Sequence, residues 1–316
     1  MRRKQVELWL ALWVVYIVWG STYLAIKVAV RTLPPLLTAG TRFLVASALL
    51  AAVLVAARRA VRAPRGEALT AMGLGVVLLA CGVGLVHVAE TRIDSSIAAM
   101  IAGSVPLQIV VWRTFAGERV PRGTVLAALV GLGGLALIVG PGGFEGGSVA
   151  VGLVVMVTAS IAWSRGSFVA SRLRLPSDPF VATVYEMLGG GLVLTAAALA
   201  LGEGSNLTTD SFEPGPVAAW AYLAVFGSVV AFSAYAWLLG NAPISQVVTH
   251  QYVNPLVAVA LGALLLDERP GPATLLGAAF IVGAVAVTVR RESRAAAVRP
   301  RRASAVPRET RADPTG

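Results

Sequence analysis

The stretch that decides the fold is WGSTYLAIK at residues 19–27, because a related stretch, WSRGSFVAS, returns at residues 163–171. The end of the first half also returns: FAGERVPRGTVLAALVGLGGLALIV begins at Phe115, and LLDERPGPATLLGAAFIVGAVAV begins at Leu265. The copies are thus 144 residues apart at the first pair and 150 at the second. A repeat with an odd number of membrane spans places its second copy upside down, as in many secondary transporters.

The composition indicates an integral membrane protein. Hydrophobic residues make up 57% of the 316 residues and charged residues 13%, with a mean hydropathy of +0.77, whereas a soluble domain has about 25% charged residues. The charged residues that give the net charge of +10 lie between apolar segments and in the tail. We therefore expect no nucleic-acid partner. A single cysteine, Cys81, excludes an internal disulfide and a metal site built from several cysteines.

Ten segments are long enough to cross a hydrocarbon core, which requires about 20 residues each. They lie at about 8–31, 35–57, 69–89, 95–116, 121–140, 148–171, 179–201, 217–239, 244–266 and 271–289. The sequence therefore predicts an all-α membrane protein with ten transmembrane helices in two inverted five-helix repeats. The predicted divisions are an N-terminus at 1–7, repeats at 8–143 and 144–290, and a basic tail at 291–316 that we expect to be disordered.

The distribution of Lys and Arg indicates the orientation, because cytoplasmic loops carry an excess of both. If the N-terminus is cytoplasmic, the outer side holds three basic residues, Arg31, Arg92 and Arg269. The inner side then holds eleven: Arg2, Arg3, Lys4, Arg58, Arg59, Arg62, Arg65, Arg119, Arg122, Arg172 and Arg174. We therefore expect a multi-pass protein of the plasma (inner) membrane with both termini in the cytoplasm.

Charged side chains inside the spans point to an interior site, because each costs about 2.5–3.5 kcal/mol at mid-bilayer. Lys27 and Arg113 lie near span ends, where long side chains reach the interface, and Arg165 fits either a cavity or the interface. Arg42 and Glu186 are 144 residues apart and occupy equivalent positions. They could form a structural ion pair or serve a cavity separately. Glu186 reads as the lone carboxylate within the spans, which suits it to proton coupling.

Two prolines interrupt the predicted helices near mid-depth. Pro106 and Pro255 each lack an N–H and free a carbonyl one turn earlier, at Ala102 and Gln251. A freed carbonyl in the bilayer turns toward protein or water, although a plain kink is the alternative. The ninth span is also unusually polar around its proline, with Thr249, His250, Gln251, Tyr252 and Asn254. This face is a candidate substrate wall.

The aromatic residues near mid-depth are candidates for the same cavity. Trp19 lies far from the interfaces where membrane tryptophans gather, so it packs in the core or lines a cavity, with Trp163 and Tyr235 as weaker candidates. His87 and Glu90 resemble a metal pair, but no third ligand is evident, and we expect neither a metal nor a cofactor. The complete candidate set is Trp19, Ser21, Tyr23, Arg42, Pro106, Trp163, Tyr235, His250, Tyr252, Asn254 and Pro255, with Glu186 for proton coupling.

The motifs together resemble the EamA family of the drug/metabolite transporter superfamily. They are WGSTYLAIK at 19–27, Pro35 to Arg42-Phe43, Pro106 with Gly117-Glu118-Arg119, and Asn254-Pro255 with Asp267-Glu268-Arg269. VAE at 88–90, YEMLGGG at 185–191 and YVNP at 252–255 further resemble its YedA-like branch. The resemblance covers residues 8–290 and departs at Asp267, where the pattern has Gly.

The resemblance implies ten helices around a central cavity that opens alternately to each side. It also implies efflux of small amphipathic solutes such as amino acids, usually coupled to protons. For the oligomeric state, both a monomer and a homodimer fit the sequence. The substrate does not carry over, because members of the family differ in it. An uncoupled facilitator and a scaffold or sensor without transport are the alternatives. An enzyme is not expected, because the sequence contains neither HExxH nor GxSxG.

Overall fold

The computed structural model describes residues 2–139, 147–242, 247 and 249–298, and these ranges form helices without a strand. The first half contains α1 (Arg2–Ala29), α2 (Pro35–Ala56), α3 (Arg65–Gly75, Val76–Gly84 and Leu85–Glu90), α4 (Ser95–Ala102 and Val105–Phe115) and α5 (Arg122–Val139). The second contains α6 (Gly147–Ala170), α7 (Pro179–Ala200), α8 (Pro214–Tyr222, Leu223–Val230 and Ala231–Asn241), α9 (His250–Leu265) and α10 (Pro272–Val298).

The helices confirm the predicted all-α membrane fold. Within the described ranges, eight are long and apolar enough to cross a membrane, and the shorter apolar stretches Arg122–Ile138 and Val253–Leu265 supply the other two. Each half has five crossings, so the second half is inverted relative to the first. The largest difference from the prediction is that α10 continues to Val298, into the segment expected to be a disordered tail. Arg, Glu and Ala, which favour helix, make up most of this extension. Residues 299–316 lie outside the described residues.

The second helices of the two repeats begin in the same way. Pro35 and Pro179 each occupy the first turn of their helix, where the missing N–H is not needed. The Asp178 carboxylate accepts a hydrogen bond from Phe180 N at 3.0 Å, whereas the start of α2 is capped by Glu203, which accepts from Leu37 N at 2.8 Å. The short 3₁₀ turn at Glu203–Asn206 thus closes one end of the bundle.

Close backbone contacts hold the two halves together. A Cβ atom at Gly75 of α3 would lie 2.6 Å from the backbone C and Cα of Glu186 in α7, and one at Gly134 of α5 would lie 2.6 Å from the carbonyl oxygen of Gly277 in α10. Small residues let spanning helices approach this closely. Helices α3 and α7, and α5 and α10, therefore pack across the boundary between the repeats.

The third helix of each repeat contains a wide π-helical segment that the sequence reasoning missed. The segments are Val76–Gly84 in α3 and Leu223–Val230 in α8, and their starts are 147 residues apart. Such segments are rare and are often found at functional sites. Their equivalent placement makes them a feature of the repeat.

Asp267, which stands where the family pattern has Gly, adopts a backbone conformation that glycine favours. Asp267 has φ of 55° and the repeat-equivalent Gly117 has φ of 75°. Glycine takes this left-handed conformation freely, and Asp is among the few other residues that tolerate it. The turn after α9 therefore keeps the shape of the turn after α4.

Candidate functional site

A cavity of about 120 Å³ lies among α1, α2, α3, α4, α6, α8 and α9. Both halves therefore contribute to its wall. The predicted residues on this wall are Trp19, Tyr23, Arg42, Trp163, His250, Asn254 and Pro255. These residues lie together on one wall, and their role in binding stays a prediction.

Trp19 anchors an aromatic group on one side of the cavity. Its ring lies 5.1 Å from that of Phe232, 5.0 Å from that of Tyr235 and 5.2 Å from that of His250, measured between centroids. Its indole N–H donates to Gly227 O at 3.2 Å, within the π-helical segment of α8. Edge-on contacts of this kind fix the ring orientation. Trp19 is thus held rigidly against the other half.

Trp163, the repeat equivalent of Trp19, has the mirrored environment. It also lines the cavity, and its Cε3 would lie 3.1 Å from a Cβ atom at Gly82, which belongs to the π-helical segment of α3. Each tryptophan therefore packs on the π-helical segment of the opposite half. The two tryptophans of the cavity wall and the two π-helical segments therefore pack against each other across the two halves.

Arg42 is a positively charged residue of the cavity wall, and it is 3% exposed. Its Nε donates to Ser228 Oγ at 3.1 Å, and Ser228 Oγ donates to Leu223 O at 3.0 Å. Among the described residues, Nη1 has no hydrogen-bond partner. No ion pair to Glu186 is found in the described part of the chain, so of the two alternatives the structure favours separate positions for this pair.

The break in α4 and the proline within α9 meet at the cavity. The fourth span is broken at Gly103 and Ser104 rather than kinked, and a Cβ atom at Gly103 would lie 2.9 Å from Pro255 Cγ. Pro255 stands inside α9, one residue after Asn254. The Asn254 side-chain oxygen is buried and has no hydrogen-bond partner within the described ranges. Two residues of the cavity wall, Arg42 and Asn254, thus each have one buried polar atom without a partner in the described ranges.

Three predicted residues lie away from the cavity wall. Pro106 lies in the first turn of Val105–Phe115, a position that proline favours, and Val105 lines the cavity instead. The Ser21 hydroxyl pairs with the Tyr222 hydroxyl at 2.7 Å, and Tyr235 packs behind Trp19 and His250. The side chain of Tyr252 lies outside the described residues.

The remaining charges named for the spans do not line the cavity. Lys27 Nζ donates to the carbonyls of Glu90 at 2.9 Å and Ile93 at 2.8 Å, so it points into the protein rather than to the interface. Arg113 Nε donates to Glu118 Oε2 at 2.8 Å in the following loop. Arg165 lies over the Trp112 ring, 5.5 Å from its centroid. Lys27 therefore binds backbone carbonyls inside the protein, which its position near the end of the span did not suggest.

A buried polar network beside the cavity was missed in the sequence. Gln108 Nε2 donates to Ser104 Oγ and Ser160 Oγ, both at 2.9 Å, and Ser164 Oγ donates to Gln108 Oε1 at 2.9 Å. Trp112 Nε1 donates to Ser164 Oγ at 3.0 Å. The sequence contains one signal of this network. Ser104 and Gln108 are four residues apart on one helix, as are Ser160 and Ser164 on the facing helix, and residues four apart share a helix face.

Glu186 is not the lone carboxylate within the spans, and that expectation is wrong. Glu186 is half-buried on α7 and does not line the cavity. Glu90, at the end of α3, is fully buried, and in the described part of the chain neither of its carboxylate oxygens has a hydrogen-bond partner. The error came from treating a span end as an interface, although the packing of α1, α4 and α6 encloses it. Proton coupling through Glu186 stays a prediction.

A second cavity of about 270 Å³ lies near the start of α2, beside Leu37, Phe212 and Trp220. Its wall is almost wholly apolar, and its tryptophan N–H is already bonded to Thr41 Oγ1 at 3.2 Å. Solute sites combine apolar walls with a few convergent polar groups. The smaller central cavity fits this description better and is the candidate site.

Comparison with known proteins places this architecture among transporters. A sequence model of the EamA-like transporter family matches residues 7–140 and 150–290. The chain is 37% identical over 284 residues to the uncharacterized inner membrane transporter YedA of Escherichia coli K12, covering 90% of each chain. It is 27% identical to a probable amino-acid metabolite efflux pump of the same bacterium, covering 87% of this chain and 92% of that one.

A solved crystal structure shares the fold. It matches with a TM-score of 0.61 at 22% identity and covers 90% of this chain and 97% of its own. The family model matches both repeats, and the similarity to YedA also extends through both. These relatives are membrane transporters rather than enzymes. The chain belongs to the EamA-like transporter family.

Proposed function

We propose that this transporter exports small zwitterionic metabolites, amino acids among them, by alternating access and in exchange for protons. The observation that carries the proposal is that two residues lining the central cavity each have a buried polar atom without a partner in the part of the chain that the structure describes. Within the described residues, Arg42 Nη1 lacks an acceptor and Asn254 Oδ1 lacks a donor. Unpaired buried groups cost about 1–3 kcal/mol each, so a bound solute that pairs with both is stabilised.

The chemistry of the two atoms defines the solute class. A guanidinium presents N–H groups in a fork that matches a carboxylate, and Ser228 binds Nε of Arg42 while Nη1 has no partner among the described residues. The Asn254 oxygen accepts hydrogen bonds and suits an ammonium group. A carboxylate and an ammonium on one small molecule are the two ends of an amino acid.

The cavity walls and volume support a small amphipathic solute. Trp19, Trp163 and Phe232 provide apolar surface beside the polar atoms. The volume of about 120 Å³ is below the roughly 300–1,000 Å³ of pockets for drug-sized ligands. The amino-acid metabolite named for one relative agrees with this size.

Transport and coupling are tested together in proteoliposomes. The purified chain is reconstituted, loaded with an amino acid, and assayed for exchange against labelled amino acids, nucleosides and organic cations. An imposed pH gradient then separates a coupled exporter, which accumulates solute, from an uncoupled facilitator, which only equilibrates it. Absence of exchange for every zwitterion would overturn the proposed substrate class.

Asn254→Leu is expected to weaken amino-acid transport while the protein still inserts. Leucine keeps the approximate volume but removes the acceptor for the ammonium, a loss of about 1.5–3 kcal/mol, or roughly 10- to 100-fold in apparent affinity. Exchange kinetics measure the effect. Asn254→Asp, which retains an acceptor, is the control, and unchanged affinity in the leucine variant contradicts this role.

Pro255→Ala is expected to slow turnover more than it impairs insertion. Alanine restores a helical N–H at the position where α9 meets Gly103, and the helix becomes stiffer there. The transport rate at saturating solute should fall, while the amount of protein in the membrane stays near that of the wild type. Equal rates in the variant and the wild type would assign Pro255 to packing alone.

A reporter fused after Val298 is expected to show the cytoplasmic phenotype. The proposed orientation rests on eleven basic residues on one side against three on the other, which is the bias that sets topology. Fusions in the 202–216 loop should show the opposite phenotype. A periplasm-active fusion after Val298 contradicts the proposed orientation.

A further inference from the structure

We propose that Glu90 binds the coupling proton and that its charge controls the outer closure of the transporter. The proposal rests on the proposed function and names the group that links proton movement to the cavity. It starts from the burial of Glu90 and His87, which lie three residues apart on α3. Both side chains are 0% exposed.

The carboxyl group of Glu90 has no hydrogen-bond partner within the described residues. Both of its oxygens and His87 Nε2 lack hydrogen-bond partners among the residues that the structure describes, while His87 Nδ1 is engaged with Val83 O at 2.9 Å. An ionised carboxylate so placed loses several kcal/mol of hydration. A proton on Glu90 removes this cost, so the closed arrangement selects the neutral acid.

Charged and titratable groups surround Glu90 from several elements. Those close enough to act on it or on its neighbours are Lys27 and Tyr23 of α1, Asp94 of the α3–α4 loop, Glu268 of the α9–α10 loop, and Arg42 beside His87. Lys27 is an ammonium whose Nζ is bound to the carbonyls of Glu90 and Ile93. This fixed cation disfavours a bound sodium ion and also attracts an ionised Glu90, so proton binding there depends on the burial of the carboxyl group and on the nearby charge of Glu268.

The groups around Glu90 also form the closure at this end. The Glu268 carboxylate accepts from Ser95 N and Ser96 N, both at 2.9 Å, and from Ser95 Oγ at 2.7 Å, so it caps α4. Burial raises the pKa of Glu268, but the hydrogen bonds from Ser96 and Ser95 outweigh burial and hold this pKa below its usual range. Glu268 therefore remains an anion at neutral pH and opposes a second negative charge on Glu90.

Tyr23 connects this region to the solute. It lines the cavity and is close enough to Glu90 for the carboxylate charge to act on its phenol. When Glu90 releases its proton to the cytoplasm, a negative charge remains in the closed region. This charge favours opening and hydration of the outer end. After solute leaves, Glu90 takes one proton from outside and the end closes again. No bond in the solute is made or broken, and one proton enters for each solute exported.

The test compares full-length wild type with Glu90→Gln in proteoliposomes. Glutamine has the shape of the protonated acid and stays neutral, so exchange at equal pH should persist. With a lumen one pH unit more acid than outside, wild type should accumulate an amino acid about tenfold at one proton per solute. The variant should only equilibrate it. A pH dye in the lumen should report alkalinisation on solute addition for wild type and none for the variant.

Glu67→Gln, a neutralised carboxylate at the opposite end of α3, is the matched control and should accumulate solute like wild type. Glu186→Gln, assayed in parallel, tests the other candidate carboxylate. Normal pH-driven accumulation by Glu90→Gln overturns the proposal, as does a requirement for sodium in place of the pH gradient. Wild type that exchanges solute but does not accumulate it when the pH gradient is imposed also overturns the proposal and leaves transport itself intact.

Infrared difference spectroscopy separates this proposal from the proposed function. A protonated carboxyl band that titrates in wild type and is missing in Glu90→Gln supports the proton site even if no amino acid is transported. The same band in both proteins overturns it.

Discussion

Arg42→Gln is expected to reduce the apparent affinity for amino acids by roughly 10- to 100-fold, since hydrogen bonds to charged groups contribute about 1.5–3 kcal/mol. The variant removes the cation that the solute carboxylate would meet, while the amide still reaches the region of Ser228. Exchange kinetics in proteoliposomes measure this loss. Protein abundance in the membrane should change little, because removing a buried cation also removes its cost.

Two further variants separate charge from geometry at this site. Arg42→Lys keeps the positive charge without the planar fork, so it should retain part of the affinity. Ser228→Ala removes the hydrogen bond to Nε but leaves the guanidinium, and should have a smaller effect than Arg42→Gln. Affinity that is equal in wild type and Arg42→Gln would show that the carboxylate binds elsewhere.

Gly75→Val is expected to prevent correct packing of α3 on α7 and to deplete the folded protein from the membrane. Any Cβ atom at this position would lie 2.6 Å from the backbone C and Cα of Glu186. Backbone atoms do not move aside as a flexible side chain does, so the cost should exceed the usual overpacking penalty of about 1–3 kcal/mol. Thermal stability in detergent and membrane abundance measure it.

Gly73→Val is the matched control for this prediction. Gly73 lies two residues earlier on the same helix and is exposed, and a Cβ atom there would meet nothing within 4 Å from the other described helices. The substitution carries the same change in helix propensity but no clash. If Gly75→Val and Gly73→Val are equally stable, the close contact between α3 and α7 does not matter for folding.

The fold was predictable because its main signals are local or periodic. Apolar segments of sufficient length define the spans, and the return of Trp19 as Trp163 defines the repeat. The boundaries were less predictable at α10, which continues as helix through Arg291 to Val298. There the apolar signal ends before the helix does, since Arg and Ala favour helix without being buried.

The site was predictable only in part, because depth along a helix does not determine burial. Trp19, Arg42 and Asn254 were found from their polarity or position near mid-span. Glu90 follows the predicted third span, 69–89, by one residue, yet tertiary packing encloses it completely. The π-helical segments have no comparable signal in the sequence, and they make contacts between distant parts of the chain, such as Trp19 with Gly227.

The exchange of contacts between halves has a consequence for the order of assembly during synthesis. Arg42 enters the bilayer early, but Ser228, to which its Nε is bound, follows 186 residues later. Until α8 is inserted, the guanidinium lacks that buried partner, and an unpaired charge in lipid is costly. Trp19 waits longer still for Gly227, which is 208 residues away. The first five helices therefore cannot complete their own interior, and the cavity is finished only after most of the chain has entered the membrane.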